Sequence, residues 1–278
     1  MVMKSSRISK RLLRSSVVLA SSIASLLPQG GKASEPEKYQ KKLKESVLIQ
    51  DRLGPVATGS GSDDPPRASK DRYPWKRQIV TTTFWIGEKA APKNPVPNNM
   101  SSWDSRWAEN YGGTDSPDRA KRVNYLPADF VPKLNPFYIA LPYNDVARGE
   151  HKTEAPVVIP WFKSAFTEAG KSVCKGRWVA IRYKDRTAYA QWEDCGPFRT
   201  DHWQYVFGDE RPKPNLNRGA GLDVSPSVRD YLGMADTDIT DWSFVDFHEV
   251  PIGPWSTHGE NNTFVRNRRD DELRVAAE

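Results

Sequence analysis

The sequence predicts a small, mainly β barrel, and three observations predict it. From about residue 72 onward, short β-branched and aromatic runs alternate with clusters of turn residues. One well-capped helix is written among them, between Ser225 and Gly233. The length of 278 residues suits one sizeable domain with tails, or two small ones. Apolar residues make up 37% of the chain and the mean hydropathy is −0.69, which leaves part of it outside any core.

The first 33 residues read as an export leader. Lys4, Arg7, Lys10, Arg11 and Arg14 form a basic region, an apolar stretch runs from Val17 to Leu27, and small residues lead to Ala33. A mitochondrial-type targeting peptide or a short membrane anchor is the alternative. The sequence has no apolar run of spanning length, so no membrane span is expected after cleavage. The leader carries six of the 41 basic groups and no acidic one. Its removal leaves as many basic groups as the 35 acidic ones. A nucleic-acid footprint needs a basic excess that survives processing, so nucleic acid is not an expected partner. A secreted or periplasmic monomer is.

Residues 34–70 are charged and poor in aromatics, and Gly59-Ser-Gly-Ser-Asp-Asp-Pro-Pro66 has linker composition. They read as a tether, with one marginal helix around 36–52. Residues 71–257 form the expected domain, and 258–278 a frayed polar tail.

Within the domain, Gln78–Trp85 is a strand and Trp103–Gly113 a loop or short helix. Phe137–Pro142 is a strand stopped by proline, and 144–156 a charged loop. Strands at 177–183 and 187–192 make a hairpin. A two-residue turn at Lys184-Asp185 pairs residues whose numbers sum to 369, as Cys174 and Cys195 do. In an exported chain that suggests a disulfide, closing about 20 residues and adding roughly 3 kcal/mol. Two separate buried thiols are the alternative. Gly221–Ser225 is a short strand entering the helix, where Ser225 caps, Pro226 takes the first position and Gly233 stops it. Trp242–His248 is the last strand.

Two segments are specific beyond this pattern: Trp192-Glu-Asp-Cys-Gly-Pro-Phe198, and Gly221-Leu-Asp-Val-Ser-Pro-Ser-Val-Arg-Asp-Tyr-Leu-Gly233. With Phe137–Pro142 before them, their order resembles double-psi β-barrels of the rare-lipoprotein-A type, and more distantly expansins and family-45 endoglucanases. The resemblance spans about 79–250. It implies a six-stranded double-psi barrel with one or two short helices and long loop insertions. It also implies a cell-wall polysaccharide ligand, peptidoglycan or a β-glucan.

Carried over from the family, Asp223 is the groove acid, and Asp194 matches the Asp before Gly-Pro. Apolar neighbours raise the pKa of Asp223 while the following helix N-terminus lowers it. A purely structural role, holding backbone amides, is the alternative. The chain departs from the pattern in three places. Tyr138 stands where the lytic transglycosylases have His, and Cys195 where the family has Arg. The second Asp of the endoglucanases has Glu88 as its nearest counterpart. The catalytic candidates are therefore Asp223, Asp194 and Glu88.

Sugar faces stack on aromatic rings, so Trp85, Trp192, Trp203 and Tyr138 are candidate binding residues, with His202 able to reach the groove or else to lie on the solvated surface. Trp103 and Trp107 flank the same site in sequence. The four His residues show no metal-ligand spacing, and no nucleotide or serine-hydrolase motif is present, so neither metal nor cofactor is expected. Three functions remain: glycan cleavage by acid catalysis, non-catalytic wall binding, and a structural or interaction module.

Overall fold

The computed structural model describes residues 72–92 and 94–277. The expected leader (1–33) and tether (34–70) lie outside the described residues. Six strands close a barrel: β1 (Lys76–Thr83), β2 (Tyr138–Leu141), β3 (Trp178–Tyr183), β4 (Arg186–Cys195), β5 (Leu222–Val224) and β6 (Thr237–Val245). The order round the barrel is β1-β6-β3-β4-β2-β5 and back to β1. The β1/β5 and β4/β2 pairs are parallel, and the other four are antiparallel. Advancing every strand number by three maps this pairing scheme onto itself. The closed mixed barrel is thus compatible with a double-psi barrel. Among the described residues, no helix is long and apolar enough to cross a membrane.

Strand alternation builds the core. Ile139 and Leu141 of β2, Val179 and Ile181 of β3, Ala188, Ala190 and Trp192 of β4, and Leu222 and Val224 of β5 meet inside the barrel with Trp242 and Phe244 of β6. The β3–β4 hairpin has the expected register, from Trp178↔Gln191 to Tyr183↔Arg186, and Lys184 takes the left-handed conformation that the tight turn needs. Helix α1 (Pro226–Leu232) is capped as its sequence requires: the Ser225 hydroxyl accepts from Val228 N–H, and Gly233 closes it at φ +71°. The last strand begins five residues before the apolar run that reveals it, because Thr237–Asp241 is mostly polar; its Thr240 is nonetheless buried, hydroxyl to hydroxyl with Thr81.

The disulfide expected from that register is not formed, and both cysteines are free thiols. Ladder pairing ends at Trp178↔Gln191. Gly176 then takes φ +80°, and Arg177 N–H turns back to the Cys174 carbonyl. Cys174 therefore does not continue the strand opposite Cys195.

Residues 84–136 form an insertion on the outer face of the barrel. Phe84, Ile86, Trp107 and Tyr111 pack there on Tyr138 and Ala140 as a second apolar cluster. The insertion is anchored by Arg122, which is almost fully buried. Its guanidinium pairs with the buried Asp115 and donates to the Ser116 and Tyr125 carbonyls and to Ser227 Oγ of α1. It also forms an ion pair with Asp230 at 3.1 Å. Tyr138 donates its hydroxyl hydrogen to Asp115 Oδ2 and accepts from Ile86 N–H.

Residues 258–277, the expected frayed tail, carry regular structure. Asn262 is buried and donates to the Trp255 and His258 carbonyls, and α2 (Thr263–Ala277) follows. A Cβ at Gly259 would lie 2.2 Å from the Asn135 backbone nitrogen, so only glycine permits this close approach.

Replacing Arg122 with Met should destabilise the chain by about 3–5 kcal/mol in urea unfolding, because it strands the buried Asp115 carboxylate. An Arg122→Met/Asp115→Leu double variant should recover part of that loss. A loss in the single variant below about 1 kcal/mol would show that the ion pair is not the anchor of the insertion.

Candidate functional site

The site is built from one row of residues on the exterior of the barrel. In the ladders, Thr82 of β1 stands beside Asp223 of β5, Asp223 beside Ala140 of β2, and Ala140 beside Asp194 of β4. Leu222 and Val224 are buried in the core, so alternation turns Asp223 between them outward. All four residues of the row line a cleft of about 380 Å³, and the insertion supplies the opposite wall through Glu88 and residues 94–102. Strands neighbour each other at 4.7–4.9 Å, so the backbones at Asp223 and Asp194, two strands apart, stand roughly 10 Å apart. Ala140, between the two carboxyls in the ladder, is buried and carries only a methyl group, so no long side chain of the row stands between them.

Asp194 reaches this row through a β-bulge. Ile139 pairs with Trp192, but the next residue of β2, Ala140, pairs with Asp194, leaving Glu193 without a ladder partner. Without the extra residue, Glu193 would face the cleft.

Each of the three candidate carboxyls is held firmly. Asp223 is half-buried and accepts a hydrogen bond from the Thr82 hydroxyl. Asp194 Oδ1 accepts from the backbone N–H groups of Ser102 and Cys195, both at 2.7 Å. Glu88 Oε2 accepts from Asn98 Nδ2 at 2.9 Å. Burial pushes the Asp223 pKa up to about 7, with the Glu88 and Asp194 charges adding to the rise against the Thr82 hydrogen bond. Burial likewise raises Glu88 to about 7, against its Asn94 and Asn98 hydrogen bonds, and Asp194 to about 6, against its amide donors. At neutral pH the cleft holds carboxyls that can both give and take a proton.

The aromatic candidates mostly lie elsewhere. Trp192 and Tyr138 are fully buried: Trp192 belongs to the barrel core, and Tyr138 is locked into the Asp115 network. Neither can meet a ligand, because β2 is covered on both faces and Trp192 points inward. Trp85 and Trp203 are partly buried, and neither lines the cleft. Trp107 is buried in the second apolar cluster. His202 is only 1% exposed rather than on the solvated surface, with Nε2 3.1 Å from Glu210 Oε2. It too lies outside the cleft lining, and burial lowers its pKa.

Two other aromatic side chains line the cleft: Phe84, which is buried, and Phe198, 41% exposed and held at φ +60°, a conformation rare for a bulky residue. The only sequence signal of Phe198 was its place after Gly196-Pro197. Cys195 also lines the cleft, and burial raises its thiol pKa well above the usual value. No group of three or more His, Cys, Asp or Glu among the described residues is arranged to hold a metal ion.

No protein-family model matches the chain, and no curated protein sequence matches it.

The raised Asp223 pKa has a defined consequence for stability. Its native state binds the proton more tightly than the unfolded chain, whose value lies near 3.8. The stabilisation is complete below that value and is lost as pH rises through about 7. Unfolding free energies measured across this range should fall with pH more steeply in the parent than in Asp223→Asn, by up to about 1.4 kcal/mol per pH unit. Parallel profiles would mean that Asp223 titrates normally.

Proposed function

We propose that this chain is an exported protein that takes a cell-wall glycan into the cleft and cleaves it by acid catalysis. The observation that carries this reading is the outward row of Asp223 and Asp194 in one cleft, with only Ala140 between them in the ladder and both pKa values raised toward neutrality. Protonated Asp223 gives its proton to the glycosidic oxygen as the bond to the anomeric carbon breaks. Either of two nucleophiles then closes the reaction. A hydroxyl of the same sugar attacks the anomeric carbon and forms an anhydro ring, or water attacks and inverts it. In both cases an ionised carboxyl, Asp194 or Glu88, accepts the nucleophile's proton. The spacing of roughly 10 Å at the backbone, taken from strand geometry, suits the separation of about 6.5–9.5 Å between carboxyls that leaves room for a water. Phe198 offers an apolar face to a sugar ring at the cleft mouth. This reading agrees with the resemblance to rare-lipoprotein-A-type barrels and with the leader.

One observation favours a non-catalytic wall binder. The residue in the place of the transglycosylase His, Tyr138, is buried and engaged, so no side chain replaces that group from β2. A purely structural module is disfavoured: the loop at 144–156 does not fill the cleft, and Asp223 is open to it.

Digestion of purified peptidoglycan separates these readings. The full-length chain should release soluble muropeptides, and Asp223→Asn should lower release at least about 100-fold, as expected for loss of a general acid. Anhydro ends would identify the intramolecular route and reducing ends the water route. Co-sedimentation with sacculi without release would leave the binder as the reading. Phe198→Ala should weaken co-sedimentation by about tenfold with an unchanged melting temperature, the loss expected for one aromatic contact.

A further inference from the structure

A second, larger cleft of about 940 Å³ adjoins the first, and the two share Met100, Ser101 and Ser102 as a common saddle. The bulge in β4 divides two consecutive carboxyls between them: Asp194 lines the first cleft and Glu193 the second. Glu193 is 3% exposed, and its Oε1 accepts from Asn261 Nδ2 at 3.0 Å. A carboxylate can accept about four hydrogen bonds, so Glu193 retains acceptor capacity toward the open space. Of the charged groups at the rim of the same cleft, Lys171 pairs with Glu168 at 3.8 Å and Asp104 accepts from Asn110, which leaves the exposed Lys175 and Arg266 as the cations facing it. Trp103 forms part of its wall, held by its Nε1 donating to Asn144 Oδ1 at 2.9 Å.

We propose that the second cleft binds a peptide-type substituent, carrying N–H groups and a carboxylate, of the glycan strand held in the first cleft. Glu193 accepts the substituent's amide or ammonium hydrogens at the cleft floor, while Lys175 and Arg266 receive its carboxylate at the rim. A neutral glucan can offer hydroxyl donors to Glu193 but has no carboxylate for Lys175 and Arg266. A peptide-bearing strand satisfies both ends at once. The charge pattern thus selects a substituted wall glycan over a plain one. This proposal rests on the reading of the first cleft as a glycan site.

The test uses Asp223→Asn full-length chain, to suppress turnover, and three soluble probes. These are peptidoglycan oligosaccharides with intact peptides, the same oligosaccharides after amidase treatment, and neutral β-glucan oligosaccharides. Calorimetric titration should show the peptide-bearing probe binding at least about tenfold more tightly than the stripped one, the worth of one charge-assisted hydrogen bond. Adding Glu193→Gln or Lys175→Met should abolish that difference while leaving the affinity for stripped oligosaccharide unchanged. Lys175 is exposed, so its variant carries the test should Glu193→Gln fold poorly. Equal affinity for peptide-bearing and stripped probes would overturn the second-cleft proposal and leave the glycan reading intact. A preference that survives both substitutions would overturn it as well, since the preference would then arise elsewhere. Binding of none of the three probes would overturn the proposal together with the glycan reading.

Discussion

Closure of the barrel depends on a strand of only three residues. β5 fills the gap between β1 and β2, and without it the sheet would have two open edges. Leu222 and Val224 must both enter the core for the short strand to be held, so the residue between them has no choice of face. Asp223 is turned outward by the same packing that closes the barrel. Its position is therefore fixed by the core and not by a loop.

The opposite wall of the cleft is an insertion, and a wall made of loop needs an anchor. Arg122 serves as one by gathering carbonyls at Ser116 and Tyr125, the carboxylates of Asp115 and Asp230, and the hydroxyl of Ser227. Tyr138 joins this network to the barrel through Asp115. Tyr138 is thus part of the mounting of the cleft wall. The aromatic cluster above it, with Trp107 and Tyr111 edge-on to Tyr138, covers the outer face of β2.

Much of the barrel was legible because its signals are local. Alternation in 177–192 set the hairpin register, and Ser225, Pro226 and Gly233 set the helix. The Asp residues of the two specific motifs and Glu88 do share one cleft. What escaped depends on contacts between distant segments. The bulge at Glu193 exists only relative to β2, so neither it nor the division of Glu193 from Asp194 could be read from β4 alone. Trp192 and Tyr138 match binding residues in sequence, since a strand aromatic looks the same whether its face is covered or open. His202 is buried by the Pro142 and Glu210 segments, which sequence does not place beside it. The cysteine pairing failed for a local reason: a ladder register says nothing about residues beyond a glycine turn.

The twofold character of the strand pairing bears on the orientation of a bound polymer. Under the exchange of strands three apart, Thr82 and Asp194 occupy equivalent places, as do Asp223 and Ala140. A cleft with like residues at these places would present the same surface to a chain entering from either end. Unlike occupants remove that equivalence: a hydroxyl and a carboxyl mark one half, a methyl and a carboxyl the other. Were a polysaccharide, with its distinct reducing and non-reducing ends, to lie across this floor, the unlike halves would favour one direction. Directionality here would come from four side chains on a backbone that is itself indifferent to it.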